Sequence, residues 1–401
     1  MRTLLAVTAT LALIAASAST SATAADADHT IRIISSLPRT GSANAQTTTM
    51  VNGIKLAIAE AGGVVDGFTI DYVDLDDATA EKGQWDSAAE DANARKAVAD
   101  PDVMAYIGTY NSGAAKISMP TLNAAGLVMV SPANTWPGLT KPDVGEKGEP
   151  EKYRPSGKVT YFRLVPADDI QGLVAVQWAH ELGATKVFVL HDKELYGKGI
   201  AEVFRNHAAA AGVEIVGFEG IDGKASDYRA LVTAIGEKQP QLVFFGGTTQ
   251  TNGGQLAKDL VAGGLDVKFM APDACFEKAF ITAAGAENVN GRAYITFGGM
   301  PPDQQTGKGK VFVDNYRKTY GADPEGYAIY SYECAKVVLD AIHRAGKKDR
   351  AAILAAIAAT KDYDGALGKW SFDANGDTTL TVMSGNTIEN GEFKFVKLLG
   401  K

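Results

Sequence analysis

Val103-Met104-Ala105-Tyr106-Ile107-Gly108-Thr109-Tyr110-Asn111-Ser112-Gly113-Ala114 is the stretch on which the reading of this chain turns. Its first five residues are apolar without interruption, which predicts a strand buried on both faces. Small polar residues follow at once and open into a helical stretch that runs through Ile117. A buried strand that feeds a helix in this way belongs to a parallel sheet covered by helices.

The same unit recurs on both sides. Residues 31–36 read as a strand. The helix after them carries Val51, Ile54, Ile58 and Ala61 on one face and stops at Gly62-Gly63. Strands at 68–73 and 126–131 and a polar helix at 86–99 complete a first half. The rhythm restarts with strands at 161–165, 186–190, 213–218, 242–245 and 268–270, alternating with helices at 170–182, 199–211, 227–235 and 254–262. The predicted fold class is α/β, in two halves that are each a doubly wound, mainly parallel sheet. The segment 137–158 is rich in Pro, Gly, Lys and Glu without periodicity and reads as an exposed insertion. In the tail, helices are predicted at 327–343 and 350–359. Short strands follow at 370–372, 379–383 and 393–396 between Asn/Gly turns.

The 401 residues are 46% hydrophobic and 21% charged, so a substantial core is possible and disorder is excluded. The formal charge is −8, and no basic block occurs, which argues against nucleic acid and anionic membranes as partners. At the N-terminus, Arg2, the apolar run 4–16 and Ala22-Thr23-Ala24 have the pattern of a secretory signal peptide over residues 1–24, cleaved near Ala24-Ala25. No cysteine follows the apolar run, so no lipid anchor is expected, and no later stretch is long enough to be membrane-embedded. The mature chain is thus read as exported. The two cysteines, Cys275 and Cys334, are compatible with a disulfide or with buried thiols.

Nothing in the sequence argues for catalysis. GxSxG, Walker, HExxH, CxxC and GxGxxG patterns are absent, and the five histidines lack metal-ligand spacing. Asp373-Ala-Asn-Gly-Asp377 fails as an EF-hand because glycine and the bidentate acid are misplaced, and it reads as a turn. The acidic residues between Asp71 and Asp91 read as solvated surface. No metal and no cofactor are expected. What stands out is a set of small polar loops at the carboxyl ends of strands, where open α/β sheets bind ligands: 108–114, Ser131-Pro-Ala-Asn-Thr135, His191 to Gly197, Phe245 to Thr248, and Ala271-Pro-Asp273. Ser112, at a helix start, offers a hydroxyl and free amides to a carboxylate.

Several segments carry a family resemblance: Asn52-Gly-Ile-Lys-Leu-Ala-Ile58, Tyr106 to Ser112, Met129 to Thr135, Val189 to Gly197, Asp227-Tyr-Arg-Ala-Leu231, Phe244-Phe-Gly-Gly247 and Trp370-Ser-Phe-Asp373. In order and spacing they resemble the leucine/isoleucine/valine-binding protein family, the type I periplasmic solute-binding proteins of ABC importers. The resemblance implies two lobes joined by three crossover hinge segments and closing on a ligand. Lobe 1 would hold 30–137 plus 299–365, lobe 2 would hold 161–296 plus 368–401, and 138–160 would be an exposed insertion or hinge. It implies a monomer that binds a small amino acid or related carboxylate and delivers it to an ABC transporter membrane permease. The alternative is a sensor of the same fold for a non-amino carboxylate or amide, reporting to a membrane receptor.

Residue by residue, the resemblance places the ligand carboxylate at Ser112 with help from Ala133 and Thr135. It places the ammonium at the Ala133 carbonyl, the Thr135 hydroxyl and Asp273. Tyr196 would close over the ligand. Tyr110, Asn111, Thr248 and Tyr327 would line the side-chain pocket, with Gln46 in the first-loop position. Asp273 replaces the family's glutamate, Thr248 stands where an aromatic is usual, and Asn111 replaces an apolar or half-cystine position. These departures open the choice of ligand to polar or larger amino acids.

Overall fold

The computed structural model describes residues 29–400; the signal-peptide reading of residues 1–24 lies outside them. The first sheet is built from β1 (Thr30–Leu37), β2 (Val64–Val65), β3 (Phe68–Asp76), β4 (Val103–Gly108), β5 (Val128–Ser131) and β6 (Tyr161–Arg163), in the order β2-β3-β1-β4-β5-β6. All its pairings are parallel except the short β2 against β3. Its helices include α1 (Asn44–Glu60), α2 (Ser87–Ala99) and α3 (Ser112–Ala124). Asp86 caps α2, its carboxylate accepting from the N–H groups of Ala88 and Ala89.

The chain then passes to the second sheet through α4 (Asp168–Glu181). That sheet contains β7 (Lys186–His191), β8 (Glu214–Gly220), β9 (Leu242–Gly246), β10 (Lys268–Ala271), β11 (Ala293–Gly298), β14 (Met383–Glu389) and β15 (Glu392–Leu399), in the order β15-β14-β11-β10-β9-β7-β8. β7 to β11 are parallel, and the two C-terminal strands are antiparallel. Helix α5 (Leu195–Ala208) follows β7, and α6 (Gly253–Ala262) follows β9. From β11 the chain returns to the first half, where α7 (Ala328–Ala345) packs along α1. It reaches the second sheet again after the two-stranded hairpin β12 (Tyr363–Gly365) and β13 (Gly368–Trp370). The polypeptide therefore crosses between the sheets three times.

Several sequence expectations need correction. The strand at 161–165, expected to open the second half, is the last strand of the first sheet and pairs with β5; a short apolar strand carries no mark of which edge it will join. The strand expected at 379–383 begins at Met383 and runs through Ser384-Gly385-Asn386, which had read as a turn. There the ring of Trp178 lies where a side chain on residue 385 would be, so glycine is demanded by packing. The insertion 137–158 is exposed only in part. Leu139, Thr140, Glu149 and Tyr153 are buried, because the Glu149 carboxylate accepts from the Trp136 indole (2.9 Å), the Tyr153 hydroxyl and the Glu146 N–H (2.8 Å). Cys275 and Cys334 are both free and buried. The acidic stretch is not all solvated: Asp77 and Glu90 are buried, and Glu90 accepts from Ser36 (2.5 Å) and Tyr106 (2.9 Å).

One buried ion pair marks the crossing region. Arg163, at the end of β6, donates from Nε to Asp377 Oδ1 at 2.6 Å and from Nη1 to the Trp136 carbonyl at 2.7 Å. Thr140 Oγ1 also donates to Asp377 at 2.8 Å. Burial acts to raise the Asp377 carboxyl, but the Arg163 charge and hydrogen bonds hold it below the usual range.

Candidate functional site

Both sheets have a switch point where strand order reverses, between β1 and β4 in the first and between β7 and β9 in the second. The loops at the carboxyl ends of these strands converge on the cleft between the halves. Tyr110, Asn111 and Ser112 leave β4, Ala133 and Thr135 leave β5, Tyr196 follows β7, Thr248 follows β9, and Asp273 follows β10. Tyr110, Asn111, Ser112, Ala133, Tyr196, Thr248, Ala274 and Tyr327 line one chamber with a cavity volume of about 20 Å³. That is room for about one water, so a ligand can enter only if the walls part. Seven of the ten residues singled out in the sequence therefore share one wall.

Ser112 is the first residue of α3, where a helix leaves N–H groups without intrahelical acceptors. Its hydroxyl also accepts from the Trp136 N–H at 3.3 Å, which ties this loop to the one after β5. Asn134 fixes that pair of loops further, donating to the carbonyls of Thr109 and Tyr110, each at 3.0 Å. The rings of Tyr110 and Tyr327 meet edge to face with centroids 5.7 Å apart.

Asp273 sits behind the two tyrosines that face the chamber. Its Oδ1 accepts from the Tyr196 hydroxyl and from Gln171 Nε2 (3.2 Å), and its Oδ2 accepts from the Tyr327 hydroxyl. Gln171 is held in turn by Thr296 Oγ1 at 2.9 Å. Asp273 is buried, and burial raises its carboxyl against the three donors that favour the charged form.

A second acid, Asp168 at the start of α4, escaped the sequence reading. It is completely buried, and neither carboxylate oxygen has a hydrogen-bond partner. Burial first and the Asp273 charge second push it well above the usual range, while the neighbouring Thr135 hydroxyl and Arg163 act the other way. Thr135 Oγ1 is itself buried without a partner. The site thus holds two mutually repelling carboxyls and an unsatisfied hydroxyl, and the nearest guanidinium is committed to Asp377. Such an arrangement is costly in an empty protein and is relieved by a cation with several N–H donors.

The structure does not bring Gln46 to the chamber wall. It is buried on α1 with both amide atoms unpartnered. Among the described residues, no cluster of His, Cys, Asp and Glu is arranged to hold a metal, and no helix is long and apolar enough to cross a membrane.

Two sheets of this topology with a polar chamber between their switch points define a two-lobed solute-binding protein. The periplasmic binding protein family model matches residues 30–390, and the chain belongs to that family. It is 31% identical over 325 residues to an amino acid binding protein of Pseudomonas aeruginosa, covering 80% of this chain and 79% of that one. Among solved structures it is similar to the branched-chain amino acid transporter substrate binding protein of Streptococcus pneumoniae in complex with isoleucine. There the TM-score is 0.79 and the identity 27%, with 92% of this chain and 99% of that chain covered. It is similar also to a leucine binding protein of Thermotoga maritima, with TM-score 0.80, identity 25%, and 92% and 98% covered.

Proposed function

We propose that this chain is an exported solute-binding protein that captures an α-amino acid between its lobes and presents it to an ABC import permease. The ligand carboxylate rests on the Ser112 hydroxyl and the amides at the start of α3. Its ammonium sits among Asp273, Asp168, the Thr135 hydroxyl and the Ala133 carbonyl. Tyr196 and Tyr327 close over it, while Tyr110, Asn111 and Thr248 bound its side chain. Residues 30–137 with 299–365 act as one lobe and 168–296 with 383–400 as the other, with β6 moved to the first.

The observation that carries this reading is the pair of buried acids, Asp168 and Asp273, behind Tyr196 and Tyr327 of a chamber whose lining also includes Ser112 at the start of α3. A zwitterion with its charges a few ångströms apart satisfies both ends at once, and neither a simple cation nor a simple anion does. The named relatives support the amino acid class, since one is an amino acid binding protein and another holds isoleucine. Native mass spectrometry of the purified protein, followed by a thermal-shift panel of amino acids and 2-keto acids, tests it. An amino acid that co-purifies, and raises the melting temperature where the matching keto acid does not, is the expected result. Stabilisation by keto acids alone would remove the ammonium from the assignment.

A further inference from the structure

Trp136 stands where the loop after β5 meets the segment 137–158, and each part of it is held by a different element. Its N–H reaches the Ser112 hydroxyl at the start of α3 (3.3 Å), and its carbonyl accepts from Arg163 of the buried ion pair (2.7 Å). Its indole N–H donates to Glu149 Oε2 at 2.9 Å. Its ring lies against Gly199 of α5, in the other half of the molecule, so closely that a β-carbon there has no room. Trp136 is buried, yet it is not among the residues that line the chamber.

The segment 137–158 is folded around the carboxylate that fixes this ring. Glu149 Oε2 also accepts from the Glu146 N–H at 2.8 Å, while Oε1 accepts from the Tyr153 hydroxyl and pairs with Lys152 Nζ at 3.1 Å. The tip at 142–148 is exposed, but Glu149 and Tyr153 are buried. Burying an acid is costly unless it is fully bonded, and a plain connection between strands has no need of one. The segment also reaches the other half twice more. Lys141 Nζ donates to Asp169 Oδ2 of α4 at 2.7 Å. Leu195, the first residue of α5, packs on the buried cluster that contains Trp136, Leu139 and Tyr153.

We infer that the segment 137–158 is a clasp for the closed cleft: Glu149 positions the Trp136 ring, the ring seats on Gly199 of the opposite half, and that seat holds the chamber walls together around a ligand it does not touch. This rests on the capture reading given above and adds what keeps the captured molecule in. Tyr196 of the chamber wall and Gly199 lie three residues apart on α5. Withdrawing α5 to admit a ligand therefore lifts Gly199 off the indole. Because the clasp meets no ligand atom, it alters only how much of the protein is closed, and it scales every ligand's affinity by one common factor.

The test is calorimetry on the full mature protein with each standard L-amino acid that shifts its melting temperature. It is repeated on Glu149→Ala, Glu149→Gln, Gly199→Ala and the double variant Glu149→Ala/Gly199→Ala, each with a melting curve. Glu149→Ala frees the indole and is expected to weaken every binder by the same factor, about tenfold, the worth of one buried hydrogen-bonded contact, with the order of preference unchanged. Glu149→Gln keeps an acceptor for Trp136 and Glu146, its NH2 meets a Tyr153 hydroxyl that turns to accept, and affinity should stay within about threefold of the parent. Gly199→Ala should match Glu149→Ala, and the double variant should lose no more than about threefold beyond either single change, because both break one contact. Should Glu149→Ala fail to fold, Trp136→Phe, which keeps a ring without the indole N–H, takes its place under the same criteria. A changed order of preference, losses that multiply in the double variant, or a Glu149→Ala protein that melts lower but binds as the parent does would each overturn the clasp and leave the amino acid reading standing. A parent that binds none of the standard amino acids would overturn the amino acid reading itself, and the clasp with it.

Discussion

Replacing Asp273 by Asn changes charge while keeping shape. The carboxylate receives three donors: Tyr196 and Gln171 on one oxygen, Tyr327 on the other. In the amide, the carbonyl keeps Tyr196 and Gln171. The new NH2 faces Tyr327, whose hydroxyl turns to accept rather than donate. The network survives and the negative charge is lost. Removing one partner of a buried charge pair costs about 2–5 kcal/mol. Asp168 remains to share the ammonium, so the loss belongs at the lower end, about 2–3 kcal/mol, or roughly 30- to 150-fold in Kd. The unliganded protein should melt no lower than its parent, because a carboxyl that burial penalises has been replaced by a neutral group. Calorimetry with the co-purifying amino acid at pH 7.5, paired with a melting curve of the empty protein, reads both quantities. Affinity within threefold of the parent, with the melt intact, would show that the ammonium does not lie against Asp273.

Burial raises Asp168 and Asp273 in the free protein, and a bound ammonium would lower them, so binding should release protons and affinity should rise with pH above the ordinary carboxyl range. Titrations in two buffers of different ionisation enthalpy would expose this as unequal apparent heats; equal heats would count against it. Glu277 is buried, one carboxylate oxygen is unpartnered, and burial pushes its carboxyl up to about 8. A carboxyl raised on folding contributes stability at low pH that is lost as pH rises through 8. Glu277→Gln should therefore be more stable than the parent at pH 9, by about 1–3 kcal/mol, and the gap should close by pH 5 in urea melts. Gly199 of α5 lies against the Trp136 ring, which Glu149 holds in place, so a β-carbon there overlaps the indole. Gly199→Ala should keep the lobes from seating, weakening ligand by roughly tenfold and enlarging the liganded particle in small-angle scattering; unchanged affinity would mean that this contact does not govern closure.

The parallel halves were legible because doubly buried strands such as 103–107 and 242–245 are continuous apolar runs, and the loops after them announce the site. What stayed hidden has a common cause. The partner of 161–163 is fixed by contacts with residues about thirty positions away. Ser384-Gly385-Asn386 looks like a turn until Asn386 is seen donating to the Ile295 carbonyl at 3.3 Å inside the sheet. Asp168 stands at a helix start, where an acid ordinarily complements the helix dipole. Only the burial of both its oxygens distinguishes it, and burial is a property of the whole fold. Gln171, one turn on, reads as polar surface and instead positions Asp273.

The Arg163–Asp377 pair also bears on the lobe closure proposed above. Arg163 closes the first crossing, the loop 134–140 supplies two carbonyls and a hydroxyl to the pair, and Asp377 belongs to the last crossing. Two of the three crossings are thus riveted at one point, together with the loop 134–140. Because that rivet is dry, dissolved ions cannot screen it as they screen exposed charges. If the lobes close about these crossings, as proposed, the fulcrum has a stiffness indifferent to ionic strength. On that reading the joint keeps the same mechanical rest position in dilute and in concentrated surroundings.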